Sequence, residues 1–427
     1  MRSYCNNTAV LGRCHIWKML KENAEKPHLS FHTPGHKNPK YDITELSFSD
    51  NLSCPQGVLL QAEQDVASIL GADRSFLLTD GSTSGVLSML YALKLRGVMR
   101  VAAPLMSHKS FWNGCALLGL TPILFETPER ALPMPLQVAD VEAAVREADA
   151  LFLTSPDYYG NVADLQGIQS LCKHLQKPLV IDGAHGGHLH FYKDIYAGAH
   201  ADMWVDGVHK SLPAFTQGAV VSAKGDFVES LARAVDVFRT TSPSYPIMAS
   251  VEYAVKYPKN DRLRLCVETA VKERKYLYKN ADYTKLCAFC ADGFQVEKLA
   301  IEQGIYTEFA TQNAVCFYLS PVQTEEELGV ALRFLDGLKE EGLVIAEKDI
   351  QRIPAPHKLQ NVDGKETEQV PLLGAVGRVC GKTCGLFPPC LPLILRGEVI
   401  TKEKTEMLKK AANVFGIEKD KITVVKE

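Results

Sequence analysis

Short apolar runs alternate with amphipathic stretches between about residues 55 and 245, and this alternation constrains the fold most strongly. Helical patterns lie between several of the runs, at Thr83–Leu95, Val138–Glu147 and Ile168–Leu175. Strands that alternate with helices predict a largely parallel sheet with helices on both faces, so we expect an α/β fold. The seven strand candidates are Ser75–Thr79, Arg100–Ala103, Thr121–Phe125, Ala150–Thr154, Pro178–Asp182, Met203–Asp206 and Ala219–Ser222.

The pattern changes after the Pro-rich turn at Thr240–Pro246. A long helical stretch from Ile247 to about Leu277 is predicted there, followed by the segment Glu308–Leu319, a helix-like stretch at Thr324–Glu341 and a tail rich in Pro, Gly and Cys. A chain of 427 residues is long enough for two domains. We therefore expect an N-terminal arm with one short helix (1–50, helix at about Ile16–Glu25), a large domain (51–246), and a helical connection with a small α+β domain (247–427).

The overall charge argues against two classes of partner. The formal net charge is -3, which gives no basic field for nucleic acid or an anionic membrane surface. No window of about 18 apolar residues is present, and the N-terminus lacks the features of a signal peptide. A cytoplasmic location is predicted.

The 12 cysteines are scattered, mostly inside apolar strings, as is typical of reduced and buried thiols. Cys287 with Cys290, and Cys380 with Cys384, could each provide half of a zinc site. The spacing of the second pair is unusual for zinc. No metal site is predicted.

Polar residues that follow the strands are the candidates for function, because open parallel sheets bind ligands at the carboxyl ends of their strands. The first strand runs through Thr79-Asp-Gly-Ser-Thr-Ser-Gly85 into a helix. Small hydroxyl and glycine residues at a helix N-terminus leave backbone N–H groups able to hold a phosphate. The alternative is an ordinary N-cap with a flexible turn.

Asp182 ends a later apolar strand, where a carboxylate is costly unless it is paired. It could cap the next turn, bind a metal, or pair with a protonated ring nitrogen. Histidines follow at 185, 188 and 190, but without the HExxH spacing of a zinc site. The next strand leads to Asp206-Gly-Val-His-Lys210, and Lys210 taken alone is typical of a solvated loop.

Together these strand ends offer a phosphate cradle, an acid and a lysine. Pyridoxal phosphate needs this combination: a phosphate site, an acid that keeps the pyridine nitrogen protonated, and a lysine for covalent attachment. A flat side chain must also cover the ring, and His108 follows the strand at residue 100. The sequence therefore predicts a pyridoxal-phosphate site built on Lys210, Asp182 and His108.

At this point the chain resembles the ornithine/lysine/arginine decarboxylases, which belong to the aspartate-aminotransferase-like, fold-type I pyridoxal-phosphate enzymes. The resemblance covers nearly the whole chain and is closest to the short form of the family. The segments that carry it, in order, are Phe31–Lys37, Asp42–Leu46, the loop at 81–85, His108–Ser110, Asp182–His188, His209–Lys210 with Thr216–Gln217, and Thr241–Pro246.

The resemblance implies a role for individual residues. Lys210 would form the Schiff base with the cofactor, Asp182 would pair with the pyridine nitrogen, and His108 would stack on the ring. Ser82, Thr83 and Ser84 would hold the phosphate, and His185 and His209 would lie at the hydroxyl and phosphate edges of the cofactor. Two subunits would build each site, with Ser242, Ser244 and Tyr245 facing the cofactor of the neighbour, so a homodimer or a higher homo-oligomer is implied.

Two departures from the family pattern stand out. The family has a serine three residues before the lysine, where this chain has Gly207. One hydrogen bond to the phosphate is then missing, which predicts weaker cofactor retention. Near the C-terminus, Phe387-Pro-Pro-Cys-Leu-Pro392 and Arg396-Gly-Glu398 replace the family's Tyr-Pro-Pro-Gly-x-Pro and Pro-Gly-Glu segments. This region borders the substrate pocket in the family.

The expected reaction is the decarboxylation of lysine, ornithine or arginine to a polyamine precursor, with Lys210, Asp182, His108 and His209 as the catalytic residues. An aminotransferase or lyase on the same scaffold is the first alternative, since Arg378 or Arg396 could grip an α-carboxylate. A non-catalytic relative is the second. Its motivation is Gly207 together with the altered tail.

Overall fold

The structure is a computed structural model that describes residues 7–27, 29–38, 40–129, 132–338, 351–353, 359–360, 362, 364–386, 391–410 and 414–426. The helices within these residues are α1 (Thr8–Leu11), α2 (His15–Ala24), α3 (Val58–Leu70), α4 (Gly81–Leu95), α5 (Lys109–Leu118), α6 (Val138–Glu147), α7 (Leu165–His174), α8 (Ala197–His200), α9 (Val208–Ser211), α10 (Phe227–Phe238), α11 (Tyr245–Val255), α12 (Asp261–Glu273), α13 (Gly293–Glu302), α14 (Glu325–Gly337) and α15 (Lys402–Lys410).

The strands, again in chain order, are β1 (Arg74–Leu78), β2 (Arg100–Pro104), β3 (Thr121–Phe125), β4 (Thr127–Glu129), β5 (Ala150–Thr154), β6 (Leu179–Asp182), β7 (Met203–Asp206), β8 (Ala219–Ala223), β9 (Lys285–Phe289), β10 (Phe309–Thr311), β11 (Ala314–Tyr318), β12 (Gln351–Ile353), β13 (Thr367–Pro371), β14 (Cys384–Leu386), β15 (Leu391–Ile394), β16 (Val414–Phe415), β17 (Ile417–Glu418) and β18 (Lys421–Val425).

All seven predicted strands lie in one sheet, in the order β1-β8-β7-β6-β5-β2-β3. Neighbouring strands from β7 through β6, β5 and β2 to β3 are parallel, and β8 alone runs antiparallel to its neighbours β1 and β7. The mostly parallel α/β sheet is therefore confirmed. The register pairs Thr154 with Asp182 and Asp182 with Val205, so the ends of β5, β6 and β7 meet at one edge.

Both faces of this sheet are covered, which explains why its strands are apolar throughout. Because side chains alternate along a strand, Leu151 and Ile181 face one hydrophobic cluster while Phe152 and Val180 face another. The first cluster includes residues of α2, α3 and α11, and the second includes residues of α4, α5 and α10. Ile16 of α2 belongs to the first cluster, so the N-terminal helix packs into the core of the sheet.

The predicted long helix from Ile247 to Leu277 is wrong in one respect, because two helices, α11 and α12, occupy this stretch. Pro258 lies between them, and proline disfavours helical conformation in the residue before it and lacks an N–H group. Asn260 then starts α12, with its Oδ1 accepting the Leu263 N–H at 2.9 Å.

The C-terminal residues form mixed α and β structure, as predicted, but around two separate hydrophobic clusters. Residues 263–338 supply one of them, and residues 372–424 supply the other. The predicted helix at Thr324–Glu341 is α14, which a capping box at Thr324 and Glu327 starts. Within the described ranges, no helix is long and apolar enough to cross a membrane.

Candidate active site

The ends of β6 and β7 approach each other closely at the carboxyl edge of the sheet. Gly183 and Gly207 follow these two strands, and a Cβ on Gly207 would lie 2.5 Å from the carbonyl oxygen of Ala184. A Cβ on Gly183 would lie 3.1 Å from the carbonyl oxygen of Val205. The glycines therefore permit a backbone contact that brings Asp182 and the short helix α9, with Lys210, to the same place.

Lys210 lies beside His185, with 3.0 Å between Lys210 Nζ and His185 Nε2. The imidazole is buried, and its ring packs edge-on against Tyr158 and Tyr318, at centroid distances of 4.8 and 5.6 Å. Burial and the charges of Lys210 and Lys285 hold the pKa of His185 well below its usual range. A neutral histidine therefore faces the amine of Lys210.

Asp182 is buried at the end of β6, and its Oδ1 accepts the N–H of Ala184 at 3.1 Å. Burial raises the pKa of this carboxyl group, while the charge of Lys210 and the hydrogen bond from Ala184 lower it. The second carboxylate oxygen can accept one further N–H donor.

The other two predicted histidines also lie within the electrostatic reach of Lys210. His108 caps α5, and its Nδ1 accepts the N–H of Ser110 at 3.2 Å. Burial, followed by the charges of Lys210 and Lys109, lowers the pKa of His108 to about 4. His209 donates from Nδ1 to the carbonyl oxygen of Gly218 at 3.0 Å, and burial lowers its pKa as well.

The predicted phosphate loop begins α4. Gly81 is the first residue of this helix and has φ +75°, a conformation that favours glycine. Its N–H donates to the carbonyl oxygen of Gln217 at 2.9 Å, which ties the loop to the turn after α9. Ser84 is buried and donates to the carbonyl oxygen of Gly81 at 3.0 Å, whereas Ser82 and Thr83, in the first turn, are half-buried and exposed.

The residues expected to face a neighbouring subunit differ from one another in environment. Ser242 is exposed. Tyr245 is fully buried, and its hydroxyl group donates to the carbonyl oxygens of Ser49, at 3.1 Å, and Asp50, at 2.8 Å. The ring of Tyr245 thus packs inside its own chain, which differs from the position implied by the resemblance.

Three charged or polar residues near the site were not predicted, because they come from residues 282–285, where the chain enters β9, more than 70 residues beyond Lys210. Asp282, Thr284 and Lys285 are fully or almost fully buried, and Lys285 Nζ lies 3.3 Å from the carbonyl oxygen of His185. In the sequence, Lys285 precedes a short apolar run and is typical of an exposed lysine at the end of a strand. Its burial depends on tertiary packing, for which a sequence pattern gives no signal.

Asp206, at the end of β7, has a shifted pKa that was also not predicted from the sequence. Its Oδ2 accepts the hydroxyl of Tyr196 at 2.6 Å and the indole N–H of Trp204 at 3.1 Å. Its Oδ1 is buried without a hydrogen-bond partner among the described residues. Burial, opposed by these two hydrogen bonds, raises the pKa of Asp206 to about 7.

The cysteine pairs lie apart, since Cys290 belongs to the cluster of residues 263–338 and Cys380 and Cys384 belong to the C-terminal cluster. Within the described part of the chain, the grouping with metal-like spacing is His15, Asp65 and Glu252. Lys256 Nζ already bonds both of its carboxylates, at 2.6 and 2.8 Å, so we interpret it as an ion-pair cluster.

The two arginines considered for an aminotransferase are bonded within the C-terminal region. Arg378 donates to Glu368 at 2.6 Å and to the carbonyl oxygen of Val425 at 2.9 Å, and Arg396 donates to the carbonyl oxygen of Val362 at 3.2 Å. Residues 387–390 of the altered segment Phe387–Pro392 lie outside the described residues.

One family of known proteins matches more than half of the chain. The model of the Orn/Lys/Arg decarboxylase major domain matches residues 39–324 of this chain. The chain belongs to this family. It is 25% identical over 455 residues to an arginine decarboxylase of Bacillus anthracis, covering 92% of each chain. It is also 28% identical over 449 residues to the uncharacterized protein YaaO of Bacillus subtilis, covering 92% of this chain and 93% of the relative.

The fold agrees with this assignment. The solved structure of the Escherichia coli constitutive lysine decarboxylase has a TM-score of 0.76 at 18% identity, covering 97% of this chain and 82% of the other. A family member with this sheet and these added C-terminal elements has the aspartate-aminotransferase-like architecture of fold-type I enzymes. Family membership and fold thus agree with the expectation from the sequence.

Proposed function

We propose that this protein is a pyridoxal-phosphate-dependent decarboxylase that converts lysine, ornithine or arginine to the corresponding diamine or agmatine. The observation that carries the proposal is the 3.0 Å contact between Lys210 Nζ and a buried, neutral His185. Asp182 lies at the end of the adjacent strand. The names of the relatives, arginine decarboxylase and lysine decarboxylase, support a basic amino acid as the substrate.

Unused polar atoms at the site fit the cofactor. His185 Nδ1 is buried and has no hydrogen-bond partner among the described residues, so it can bond a hydroxyl group of a ligand. Asp182 retains an oxygen for a ring N–H group. The first turn of α4 offers backbone N–H groups and the hydroxyls of Ser82 and Thr83 for a phosphate.

When bound, pyridoxal phosphate supplies an electron sink for the electron pair that remains after carbon dioxide leaves. Lys210 would supply the amine for covalent attachment, and Asp182 would hold a proton on the ring nitrogen of the cofactor. His108 would cover the ring. A proton must then return to the same carbon, and Lys210 Nζ, which lies 3.0 Å from His185 Nε2, would be the donor.

An aminotransferase is less well supported by the geometry. It would need an arginine for the α-carboxylate, whereas Arg378 is bonded to Glu368 and Arg396 to the backbone of Val362. The exposed position of Ser242 is consistent with a contact to a second subunit, so we retain the homodimer in the proposal.

The test uses purified protein with added pyridoxal phosphate and each of the three amino acids. We expect carbon dioxide and the matching amine without a keto acid acceptor, and we expect Lys210→Ala to lose both this activity and the visible absorption of lysine-bound cofactor. Lys173→Ala, on the exposed face of α7, is the matched control and should retain both. Visible absorption without release of carbon dioxide from any of the three substrates would refute the decarboxylase.

A further inference from the structure

A buried ion cluster from the C-terminal region contacts the loop that carries His185. We define it as the Asp282–Lys285 turn, with the side chains of Asp282, Thr284 and Lys285. Lys285 Nζ lies 3.3 Å from Asp282 Oδ2 and donates to Thr284 Oγ1 at 2.9 Å. The side chains of Asp282 and Lys285 are completely buried. Charges at such positions persist only where they are paired and hydrogen-bonded.

The Asp282–Lys285 turn holds the loop after β6 at two points. At one point, Lys285 Nζ donates to the carbonyl oxygen of His185 at 3.3 Å. At the other, His188 donates from Nε2 to Asp282 Oδ1 at 2.8 Å. Burial alone would raise the pKa of Asp282, but the neighbouring His188 and Lys285 hold it well below its usual range. The ionised carboxylate thus anchors both contacts.

Lys285 also borders the aromatic pocket of the His185 ring. Its ammonium group lies 4.4 Å from the centroid of the Tyr318 ring, and that ring packs edge-on against His185. The hydroxyl of Tyr318 donates to the carbonyl oxygen of Tyr158 at 2.7 Å, and the ring of Tyr158 packs against the same imidazole. One lysine therefore contacts both the backbone of His185 and the ring that orients its side chain.

We propose that Lys285 is a positioning residue, which holds His185 in place beside Lys210. Lys285 itself does not contact the reacting atoms. Its positive charge disfavours a second positive charge on the imidazole, and its hydrogen bond fixes the backbone of the loop. The mechanistic meaning of this role rests on the proposed function, because the partner of His185 is the lysine that would carry the cofactor.

The protonation of His185 depends on several groups, which must be considered together. The charges of Lys210 on α9 and Lys285 on β9 lower its pKa, and those of His108 and His209 act in the same direction. The rings of Tyr158 and Tyr318 pack against the imidazole, and burial raises the pKa of Tyr318 well above its usual range. Removal of Lys285 is therefore expected to raise the pKa of His185.

The experiment measures the ring nitrogens of His185 by NMR in protein labelled with ¹⁵N-histidine, with His185→Asn to assign the signals. Spectra of the wild type and of Lys285→Met are compared without cofactor between about pH 5 and 8, where histidines normally titrate. We expect the His185 signals of Lys285→Met to differ from those of the wild type and to shift toward the protonated form at a higher pH.

Lys224→Met is the matched control. Lys224 is partly buried, and like Lys285 it donates to a backbone carbonyl, that of Gly198, and lies over an aromatic ring, that of Trp204. It is not among the charges that act on His185. The His185 signals of this variant should follow those of the wild type.

With cofactor and substrate, Lys285→Met should lower kcat by on the order of 10²-fold with a smaller change in KM, because a misplaced catalytic partner acts mainly on the chemical step. Lys285→Arg, which keeps the charge, should restore the NMR signals toward the wild type. If Lys285→Met does not fold, the double variant Asp282→Asn/Lys285→Met is used instead, because it also removes the buried carboxylate that has lost its lysine. The same spectra are then recorded on the double variant.

Unchanged His185 signals in the folded Lys285→Met protein, or in the double variant, would overturn the positioning role. This result is distinct from failure of the proposed function. A protein that binds no pyridoxal phosphate would refute that function, yet the NMR comparison without cofactor would still decide the role of Lys285.

Discussion

The resemblance to the family implies a serine where this chain has Gly207, and the simplest expectation is that Gly207→Ser would provide a phosphate contact and tighten cofactor binding. The structure predicts a different result. A Cβ at this position would lie 2.5 Å from the carbonyl oxygen of Ala184, 3.2 Å from its carbonyl carbon and 3.3 Å from its Cα. All three are backbone atoms, so no side-chain rotation can relieve the contact.

The backbone must move for the substitution to fit, and over-packing of this kind typically costs about 1–3 kcal/mol of folding free energy. The displaced residue, Ala184, donates the 3.1 Å hydrogen bond to Asp182 Oδ1. A weaker bond there raises the pKa of Asp182 further, because that bond stabilises the ionised form. Gly207→Ser should therefore destabilise the protein and also impair the acid that would hold the ring nitrogen.

The assay is urea unfolding without cofactor, together with titration of pyridoxal phosphate by visible absorption. Both Gly207→Ser and Gly207→Ala should lower the unfolding midpoint, and Gly207→Ser should not bind the cofactor more tightly than the wild type. Gly337→Ala is the matched control. Gly337 ends α14, and a Cβ there would lie within 4 Å of none of the described residues, so alanine should leave the unfolding midpoint unchanged or raise it slightly. A Gly207→Ser protein as stable as the wild type, with tighter cofactor binding, would refute this reasoning.

Two further predictions concern buried acids outside the contact between Lys210 and His185. Glu63→Ala should lower the free energy of unfolding in urea by about 3–5 kcal/mol, because it leaves the buried guanidinium of Arg239 without its carboxylate. Glu142→Ala, which breaks an exposed ion pair, should lower it by only about 0.3–0.5 kcal/mol. Equal losses in the two variants would contradict this prediction. Burial raises the pKa of Asp206 from an ordinary value of 3.8 to about 7 in the folded protein, so the folded state binds this proton more tightly than the unfolded state does. The stability of the protein should therefore fall as the pH rises between these two values. The unfolding midpoint of Asp206→Asn should fall less than that of the wild type between about pH 5 and 8, and parallel decreases would argue against the raised pKa.

The main sheet could be predicted because its signal is local and repeated. Each strand is a short apolar run, and each run ends in small or polar residues. The position of Asp182 near the helix that carries Lys210 followed from the same pattern, since parallel strands place their carboxyl ends at one edge. The helix boundary near Pro258 was missed, although the proline and the polar run Lys259–Arg262 after it carried the signal.

The position of Tyr245 could not be predicted in the same way. Its neighbours in sequence, a proline and a serine-rich turn, are typical of an exposed segment, yet its ring is buried and its hydroxyl bonds the backbone near Asp50, about 195 residues earlier. Because this partner is so distant in sequence, the hydrophobic pattern around Tyr245 gives no sign of the contact. Lys285 is missed for the same reason, because its role depends on contact with a loop 100 residues earlier.

These distant contacts change the interpretation of Gly207, the position at which the sequence departs from the family pattern. From the sequence, the missing serine concerned only the phosphate of the cofactor. In the structure, Gly207 contacts Ala184, and Ala184 lies between Asp182 and His185, the residues proposed to hold the ring nitrogen and to face Lys210. The Asp282–Lys285 turn contacts the same loop at His185 and His188. The glycine therefore acts on the position of the acid and the histidine, so its effect should be sought first in their protonation and only then in cofactor affinity.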